Sequence, residues 1–401
     1  MTHSKNGKED NTRDYLAKSA GGSFDKPVHR PDHHSVRRRR RRDYRARDIA
    51  YEIDKMKALL LSQYRHLELT DLAIPRPGRD EVLIRVAACG ICGSDVHGYD
   101  GSSGRRIPPI VMGHEAAGVV AAIGEGVSGW SEGDRVTFDS TIYCGECPPC
   151  LRGNINLCDR RQVLGVSCGD YRRAGAFAEF VVVPARIIYR LPENLSFAEA
   201  ALLEAVAVAL HAVSLVPVAT GSAALVVGAG TIGLLLQQAL RVVGCARVFV
   251  ADVDPTRLRL SRELGATATL TAGPDLAKSI SQLTNGTGVD LAVEAVGKTE
   301  TVNAAIDSVR KGGVVILVGN ISPEVTLPLQ KVVTRQIRLQ GSCASAGEYP
   351  RAIELISSGL IRVKPLITAI APLTEGPQWF ERLYAREPNL MKVILTPGTD
   401  L

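Results

Sequence analysis

The feature that most constrains this chain is a group of four cysteines within fifteen residues. Cys144, Cys147, Cys150 and Cys158 follow the spacing C-x2-C-x2-C-x7-C. Four thiolates this close together can surround one tetrahedral Zn²⁺, and a closed four-sulfur shell leaves no open position for chemistry. Disulfides and a chance cluster of unrelated thiols are the alternatives, but nothing else in the sequence indicates the export that disulfides require. The spacing therefore predicts a structural zinc lobe at residues 140–160.

The net positive charge of the chain arises from its N-terminal end. Residues 1–55 hold 15 lysines and arginines against 9 aspartates and glutamates, whereas residues 56–401 hold 33 of each sign. We interpret residues 1–55, with an unbroken arginine run at 37–42, as a disordered basic extension. The whole chain of 401 residues is 45% hydrophobic, and its length suffices for two or three domains. Because the apolar pattern begins at Met56, we hypothesise that Met56 is the physiological initiator, which an intact mass would test.

Composition also bounds the partners and the compartment. The neutral body and the lack of aromatic residues within the arginine run argue against a nucleic-acid-binding protein. No apolar segment follows the early basic residues, so no signal peptide is predicted. The longest apolar region, residues 198–218, is interrupted by Glu204 and His211, which argues against a membrane span. A cytoplasmic location is predicted because no pairing pattern is visible among the cysteines outside metal-like motifs, namely Cys89, Cys168, Cys245 and Cys343.

The pattern of the chain changes near residue 200. Before that point, glycine-rich turns separate strand-like runs at residues 82–86, 117–123 and 176–183. This first region is typical of an irregular β domain. Beyond a helical stretch at residues 198–216, helices alternate with apolar strands at residues 223–227, 248–252, 290–294 and 314–319. That alternation predicts a doubly wound parallel sheet, and the remaining helix and strand, at 348–358 and 392–395, are expected to return to the first region.

A glycine motif follows the first strand of the second region. Gly228, Gly230 and Gly233 form G-x-G-x-x-G at the start of a helix, and Asp252 ends the next strand 24 residues past Gly228. In this context the glycines let the backbone approach a pyrophosphate at the helix N-terminus, and the carboxylate binds ribose hydroxyls. Asp252 would repel a 2′-phosphate, so we predict NAD rather than NADP, although Arg257 could reduce that preference. A glycine turn without a ligand is the alternative.

A second candidate metal site is dispersed along the chain. Cys92 lies in Gly-Ile-Cys-Gly-Ser-Asp-Val-His, His114 and Glu115 follow 22 residues on, and Glu204 begins an apolar helix. A thiol, an imidazole and a carboxylate suit a catalytic zinc, which must keep a position for water or substrate. Each residue also has a simpler interpretation. Cys92 could be a small buried hydrophobe, His114 a hydrogen-bonded core histidine, and Glu204 a charge that favours a helix N-terminus.

In combination and in this order, these motifs resemble the zinc-dependent medium-chain alcohol dehydrogenases. The resemblance rests on Gly-His-Glu-x2-Gly at 113–118, Gly-Ile-Cys-x-Ser-Asp at 90–95, the cysteine lobe and the nucleotide motif. The segment 203–211 is similar to the polyol branch, beside the sorbitol, sugar-alcohol phosphate, butanediol and threonine dehydrogenases. The resemblance implies an α/β chain in which a GroES-like catalytic domain, from residues 56–206 and 345–401, surrounds a Rossmann domain at residues 207–344.

The resemblance also implies a role for each site residue. Cys92, His114 and either Glu115 or Glu204 would hold a catalytic zinc, so that the chain binds two zinc ions in all. Ser94 and His97 would pass a proton outward. Asp95 would orient His114. The implied contacts with NAD are made by Gly228, Gly230, Ile232, Gly233, Asp252, Arg257, Val318 and Gly319.

The implied reaction is reversible oxidation of a secondary alcohol by NAD, in a homodimer or homotetramer. L-threonine or butanediol dehydrogenase activity is the alternative within the superfamily, and a non-catalytic nucleotide-binding scaffold is the alternative outside it. Two positions depart from sorbitol dehydrogenases: Gly98 stands where a tyrosine is usual, and Ala344-Ser345 replaces an Arg-Tyr pair. Arg105 and Arg106 could attract an anionic substrate, but we interpret them as an exposed, solvated pair.

Overall fold

The computed structural model describes residues 54–168 and 171–398, so nearly all of the predicted basic extension lies outside the described residues. In chain order the strands are β1 (Lys55–Gln63), β2 (His66–Ala73), β3 (Glu81–Gly90), β4 (Ile110–Val111), β5 (Glu115–Ile123), β6 (Arg135–Phe138), β7 (Thr141–Ile142), β8 (Gln162–Val163), β9 (Ser167–Cys168), β10 (Tyr171–Arg172), β11 (Phe180–Pro184), β12 (Ile188–Arg190), β13 (Ala223–Val227), β14 (Arg247–Asp252), β15 (Ala268–Thr271), β16 (Val289–Glu294), β17 (Val309–Leu317), β18 (Arg338–Gly341), β19 (Ile367–Pro372) and β20 (Lys392–Thr396).

The helices lie between these strands. The α-helices are α1 (Gly93–Tyr99), α2 (Pro148–Leu151), α3 (Phe197–Ala200), α4 (Leu203–Ser214), α5 (Thr231–Val242), α6 (Pro255–Glu263), α7 (Leu276–Leu283), α8 (Thr299–Ser308), α9 (Leu329–Thr334), α10 (Tyr349–Ser357) and α11 (Gly376–Tyr384). Short 3₁₀ helices span Ile155–Leu157, Ala185–Ile187, Lys364–Leu366 and Leu373–Glu375.

The second region forms a six-stranded parallel sheet in the order β15-β14-β13-β16-β17-β18. Strand order reverses at β13, so a crevice opens between β13 and β16 at their carboxyl ends. β13 coincides with the predicted strand, and its residues are all buried. Ala224 and Val226 pack into one core, whereas Leu225 and Val227 pack into another on the opposite face. Both faces are therefore covered, which confirms the predicted doubly wound sheet.

The first region forms a seven-stranded sheet in the order β12-β6-β5-β3-β20-β19, with β11 also paired to β3. β3 and β5 run antiparallel, and their register places Gly90 opposite Glu115. β20 pairs antiparallel with the end of β3, which confirms that the C-terminal segment returns to this sheet. The domain boundaries at residues 206 and 345 stay predictions.

Two predicted elements differ from the structure. The strand expected over residues 176–183 begins only at Phe180, because the backbone N–H groups of Ala176 and Phe177 donate to loop carbonyls at Gly113 and Met112. The helical stretch at residues 198–216 is two helices, α3 and α4, separated by a turn. Glu204 lies in the first turn of α4, at the start of a helix as the sequence indicated.

Helix α4 links the two sheets. It packs against α5 of the nucleotide region and against β5 of the first sheet. One hydrophobic core accordingly contains Ala117 from β5, Ala205 from α4 and Val226 from β13. Within the described part of the chain, the span Phe197–Ser214 is long and apolar enough to cross a membrane, but 67% of it is buried inside the structure. It is a core element here, and the cytoplasmic location stays a prediction.

Candidate active site

Three of the predicted metal ligands converge where β3 and β5 lie side by side. Cys92 caps the N-terminus of α1, His114 directly precedes β5, and Glu115 is the first residue of β5. One ligand atom from each lies within 4.8 Å of the other two. Sulfur, imidazole nitrogen and carboxylate oxygen are all zinc donors, and three of them leave a fourth position free. These residues therefore fit a catalytic zinc ion.

A buried carboxylate orients the imidazole ring. Oδ1 of Asp95 lies 3.3 Å from Nδ1 of His114, and Oδ2 accepts a hydrogen bond of 3.2 Å from the backbone N–H of Cys92. With Nδ1 facing Asp95, Nε2 is left for a metal. Burial would raise the pKa of Asp95, but the charges of His114 and Arg106 hold that pKa well below its usual range. The carboxylate is thus ionised and supports the orienting role implied by the resemblance.

Glu115 has a buried partner that was not predicted from the sequence. Lys392 in β20 donates from Nζ to Oε2 of Glu115 at 2.6 Å and to the carbonyl oxygen of Ile91 at 3.1 Å. Burial would lower the pKa of Lys392, but the charges of Glu115 and Cys92 raise it above its ordinary value. A Cβ at Gly90 would lie 2.5 Å from the same carboxylate oxygen, so glycine leaves room for the pair. The available signal was a single lysine at the start of an otherwise apolar strand.

Glu204 stands apart from the three converging ligands. It lies in the first turn of α4 and keeps some solvent exposure, but it does not belong to the group whose ligand atoms meet. Desolvation in the cleft raises the pKa of Glu204 to about 7, although the charge of His114 opposes that rise. Such a carboxyl group can accept and release a proton near neutral pH.

The structure corrects the interpretation of Arg106 as an exposed, solvated side chain. Arg105 is exposed, but Arg106 is only 3% exposed. Its Nη2 donates to Oγ of Ser94 at 3.0 Å and to Oδ1 of Asp95 at 2.9 Å. Its aliphatic stem lies against Gly98, where a Cβ would overlap Cγ of Arg106. The missing side chain at residue 98 and the pairing with Asp95 explain why this arginine is buried.

The two residues of the predicted proton relay both lie on α1. Ser94 is exposed at its first turn, and His97 is half-buried at its last turn. Within residues 54–168 and 171–398, the Ser94 hydroxyl has Arg106 rather than His97 as its hydrogen-bond partner. A relay through both residues would therefore need substrate, water or cofactor to join them.

The four cysteines of the lobe lie together around a common centre. The Sγ atoms of Cys144 and Cys150 are 4.0 Å apart, and those of Cys147 and Cys158 are 3.8 Å apart. These separations are far longer than a disulfide bond of about 2.05 Å. They match the edge of about 3.8 Å that follows from Zn–S distances of about 2.3 Å in a tetrahedron. The four sulfurs therefore fit a structural zinc ion.

Backbone N–H groups donate hydrogen bonds to two of these sulfurs, which stabilises their thiolate form. The N–H of Cys147 donates to Sγ of Cys144, and the N–H groups of Cys144 and Arg160 both donate to Sγ of Cys158. A hydrogen bond from the N–H of Glu146 lowers the pKa of Cys144 to about 6. Thiolate character is the condition for metal binding, so this thiol is ready at neutral pH.

The glycine motif lies at the crevice of the parallel sheet. Gly228 follows β13 with φ of +100°, a backbone conformation that favours glycine. A Cβ at Gly233 would overlap the carbonyl oxygen of Gly228, so this glycine lets α5 pack closely on the strand. Gly230 caps α5, and a Cβ built there meets nothing within 4 Å. The open space beside the N-terminus of a 12-residue helix fits a pyrophosphate.

The remaining predicted cofactor residues surround the same crevice. Asp252 ends β14, and its Oδ2 accepts from the N–H of Ala229 at 2.6 Å. Ile232 lies half-buried in the first turn of α5. Arg257 lies further out, with Nε 3.6 Å from Oδ2 of Asp254. The crevice thus brings the acidic residue and the glycine motif together, as the sequence pattern predicted.

Val318 and Gly319 follow β17 on the other side of the crevice. Their N–H groups both donate to the carbonyl oxygen of Glu294, at 2.9 and 3.0 Å. Glu294 ends β16, and its side chain accepts from the N–H groups of Val296 and Gly297. Glu294 was not singled out from the sequence. Its carbonyl oxygen holds the turn after β17, and its carboxylate holds the turn after β16, both at the mouth of the crevice.

A buried polar cluster accompanies Glu204. Asp139 accepts from the N–H of Thr141 at 2.8 Å and from Oγ of Ser345 at 3.4 Å, and burial raises the pKa of Asp139 to about 6. Tyr349 stacks on Tyr189 with ring centroids 4.8 Å apart. In the part of the chain that the structure describes, its hydroxyl has no hydrogen-bond partner. Ser345, one of the two departures from sorbitol dehydrogenases, therefore serves to hold Asp139.

Comparisons with known proteins agree with this geometry. Residues 78–193 match the family model described as the alcohol dehydrogenase GroES-like domain, and residues 231–358 match that of the zinc-binding dehydrogenases. The chain is 34% identical over 348 residues to the sorbitol dehydrogenase of Bacillus subtilis, which covers 86% of this chain and 98% of that protein. It is 35% identical over 343 residues to the D-arabitol-phosphate dehydrogenase of Enterococcus avium, which covers 84% of this chain and 96% of that protein.

A solved structure shares the whole architecture. A zinc-binding dehydrogenase from Sinorhizobium meliloti, bound to NADP, superimposes with a TM-score of 0.78 and 32% sequence identity. The match covers 86% of this chain and 100% of that one. The fold therefore has a counterpart in a protein whose structure contains NADP.

Proposed function

Because the chain belongs to the zinc-dependent medium-chain alcohol dehydrogenase superfamily, in its polyol branch, we propose that it oxidises a secondary hydroxyl of a sugar alcohol or sugar-alcohol phosphate to a ketone. The chain is an oxidoreductase of a zinc- and nicotinamide-dependent family that acts on small molecules. The observation that carries the proposal is the convergence of Cys92, His114 and Glu115, which α4 connects to the dinucleotide crevice.

The two groups of candidate ligands support the proposal of two zinc ions per chain. Cys92, His114 and Glu115 would hold the catalytic zinc, and the four-cysteine lobe would hold the structural one. Glu115 is preferred to Glu204 because its carboxylate oxygen, and not that of Glu204, lies among the converging ligand atoms. When bound at an open site, zinc polarises the hydroxyl oxygen of an alcohol and favours loss of its proton near neutral pH.

Residues around the metal site receive the proton. Glu204, whose pKa is raised to about 7 by desolvation, can accept it through a water molecule. Ser94 offers a second route from the exposed first turn of α1, with His97 one turn further out. Asp95 keeps the imidazole of His114 in one orientation throughout, since its carboxylate is anchored to the backbone of Cys92.

The crevice of the parallel sheet would hold NAD. A nicotinamide bound there would supply the acceptor for the hydride of the carbinol carbon. The glycine motif and the N-terminus of α5 would bind the pyrophosphate, and Val318 and Gly319 would border the nicotinamide. We favour NAD over NADP because the Asp252 carboxylate would repel a 2′-phosphate, even though the Sinorhizobium relative binds NADP.

The test is reduction of NAD⁺ and NADP⁺ against sugar alcohols, their phosphates, butanediol and L-threonine, with and without a chelator. Chelator-sensitive turnover of a polyol or its phosphate is expected. Turnover of only threonine or butanediol would move the activity to another part of the same superfamily. A protein that holds two zinc ions but turns over none of these compounds would contradict the proposed substrate class. An inactive protein that lacks the catalytic zinc would support a non-catalytic scaffold.

A homo-oligomer is proposed through the parallel sheet. β18 is an edge strand that pairs only with β17 in the described part of the chain. On the neighbouring helix α9, Leu329 and Val333 are 68% and 67% exposed. Apolar side chains beside an unpaired strand edge favour pairing with a second copy. Light scattering should give a dimer or tetramer, and a monomer at micromolar concentration would contradict the proposal.

A further inference from the structure

Arg106 is a buried charge whose hydrogen bonds are concentrated on one atom. Its side chain is 4% exposed, so the charge has to be compensated by partners rather than by water. The same nitrogen, Nη2, donates both to Oγ of Ser94 and to Oδ1 of Asp95. In the part of the chain that the structure describes, Nε is buried without a hydrogen-bond partner. The guanidinium is therefore held by Ser94 and Asp95, which lie two and three residues after the proposed metal ligand Cys92.

Asp95 is shared between this guanidinium and His114. Its Oδ1 lies 2.9 Å from Nη2 of Arg106 but 3.3 Å from Nδ1 of His114. The shorter contact is the one to the arginine. The carboxylate therefore polarises the imidazole less than it would if His114 were its only partner. Because a carboxylate partner makes a histidine ligand more basic, Arg106 reduces the electron donation of His114 towards a metal.

Ser94 is also affected by this guanidinium. A hydroxyl has one donor hydrogen and two acceptor lone pairs. Since Oγ accepts a hydrogen bond from Arg106 at 3.0 Å, the hydroxyl hydrogen has to point away from the guanidinium. A fixed positive charge at this distance also stabilises negative charge that develops on Oγ while its proton moves. Arg106 thus sets both the direction and the electrostatic environment of the hydroxyl.

Gly98 makes this position of the arginine possible. Ser94 and Gly98 are four residues apart on α1 and share one face of the helix. The arginine head contacts Ser94, and its stem occupies the place where a Cβ of residue 98 would be. Glycine inside a helix costs about 1 kcal/mol relative to alanine, so the residue is explained by the space it leaves.

We infer that Arg106 is a positioning residue of the dehydrogenase site: it takes a share of the Asp95 carboxylate from His114 and directs the Ser94 hydroxyl for proton transfer. This inference rests on the proposed function. It assigns the cation to the site itself rather than to recognition of an anionic substrate. The substrate proton passes to Oγ of Ser94 as the serine's own proton leaves towards His97 or solvent.

The first experiment compares Arg106→Met with Arg106→Lys. Methionine keeps an apolar stem over Gly98 but has no charge, whereas lysine keeps a positive charge on a single nitrogen. Arg105→Met is the matched control, since Arg105 is exposed. We expect Arg106→Met to lower kcat by about 10- to 100-fold with little change in KM, and to raise the solvent deuterium isotope effect. Arg106→Lys should recover part of kcat, and Arg105→Met should behave as the unmodified protein.

The second experiment measures zinc release to a chelator without any substrate. Release from the catalytic site is identified as the kinetic phase of zinc release that the His114→Ala variant lacks. Arg106→Met should release this zinc more slowly than the unmodified protein, because His114 then has the whole carboxylate of Asp95. A merely structural role for Arg106 would give the opposite sign, since loosening the site speeds release.

Gly98→Ala provides a third variant, because it displaces the arginine without removing its charge. It should reproduce the loss of kcat expected for Arg106→Met.

The inference is overturned if Arg106→Met keeps the kcat and the isotope effect of the unmodified protein, if Arg106→Lys is as impaired as Arg106→Met, or if zinc leaves Arg106→Met faster than it leaves the unmodified protein. If Arg106→Met does not fold, Arg106→Lys decides: measurable kcat with unchanged zinc release supports the inference, and no turnover by a folded, zinc-loaded protein overturns it. If the unmodified protein oxidises no alcohol, the proposed function fails, and zinc release still tests the competition for Asp95.

Discussion

Lys392 and Glu115 form an ion pair that is almost completely removed from solvent, with 2.6 Å between Nζ and Oε2 and side-chain exposures of 3% and 1%. The pair joins β20, near the C-terminus, to the first residue of β5 beside His114. It therefore connects the returning C-terminal segment directly to the metal site, across 277 residues of sequence.

Breaking this pair should destabilise the protein strongly. Lys392→Met leaves the Glu115 carboxylate buried without its partner, which is expected to cost about 3–5 kcal/mol in free energy of unfolding. Adding Glu115→Gln should recover part of the loss, because no charge is then left unpaired. Urea unfolding of the zinc-free protein measures both, because a bound zinc ion would itself compensate the charge of Glu115. Lys278→Met, at an exposed lysine, is the control, and a loss below about 1 kcal/mol for Lys392→Met would contradict the prediction.

Removing a ligand of the catalytic zinc should abolish turnover without affecting cofactor binding. Cys92→Ser and His114→Ala each take one donor from the site, whereas the crevice between β13 and β16 is built from other elements. Steady-state rates should fall below detection while NADH fluorescence still reports binding. Cys343→Ser, at an exposed cysteine, should keep full activity. Full activity in either ligand variant would refute the metal assignment.

Replacing a cysteine of the lobe should affect stability rather than chemistry. Cys147→Ser leaves three sulfurs and should lower the zinc content by one ion per chain, with a loss of about 4 kcal/mol or more in free energy of unfolding. Metal analysis and urea unfolding check the two effects together. A variant with unmodified stability and one zinc fewer would show that this zinc does not support the fold.

Asp139 should make the protein less stable as the pH rises from about 4 to about 6. Its pKa is raised to about 6 by burial in the folded state, whereas an unfolded aspartate titrates near 3.9, so the folded state binds the proton more tightly. The associated stability, at most about 3 kcal/mol, is present below pH about 4 and is lost by pH about 6. Asp139→Asn should remove this dependence and be more stable at pH 7, because an amide can still accept from Thr141 and donate to Ser345.

Urea unfolding at a series of pH values measures the difference between Asp139→Asn and the unmodified protein. Asp134→Asn is an informative control, since a hydrogen bond from Arg190 lowers the pKa of Asp134 and its contribution is lost as the pH falls. The two variants should therefore change the pH profile in opposite directions. A flat difference profile for Asp139→Asn would contradict the prediction.

Asp252 should control the choice between NAD and NADP. Asp252→Asn keeps an oxygen that can accept from the N–H of Ala229 but removes the charge facing the adenosine ribose. We expect the ratio of kcat/KM for NADP to that for NAD to rise by about tenfold or more, since a charge repulsion of about 1.4 kcal/mol or more is relieved. An unchanged ratio would mean that another residue selects the cofactor.

The parts of the site whose residues the sequence indicated, and which the structure brings together, are local. The four cysteines lie around one centre within a single loop, and the glycine motif lies within one strand–turn–helix unit. Their spacing alone limits the conformations that can satisfy them, so neither depends on how distant segments pack. Hydrophobic runs located β13 and β14 for a similar reason, since a strand buried on both faces needs continuous apolar residues.

The parts that were missed depend on contacts between distant segments. Arg106 was interpreted as solvated, and its burial follows from the space over Gly98 and the charge of Asp95. The raised pKa of Asp139 follows from burial that Ser345, 206 residues away, helps to complete. A charged residue in a sequence carries no mark of whether a partner will meet it in the interior.

The sequence by itself indicated the two regions of the chain, the four-cysteine lobe, Cys92 and His114, and the glycine motif, because spacing and periodicity act through short stretches of backbone. Only the tertiary structure decided that Glu115 converges with Cys92 and His114 while Glu204 stands apart, and that Lys392 and Arg106 supply the buried positive charges around them. The physical reason is that desolvation and pairing of charge are properties of the packed interior, where segments far apart in sequence first become neighbours.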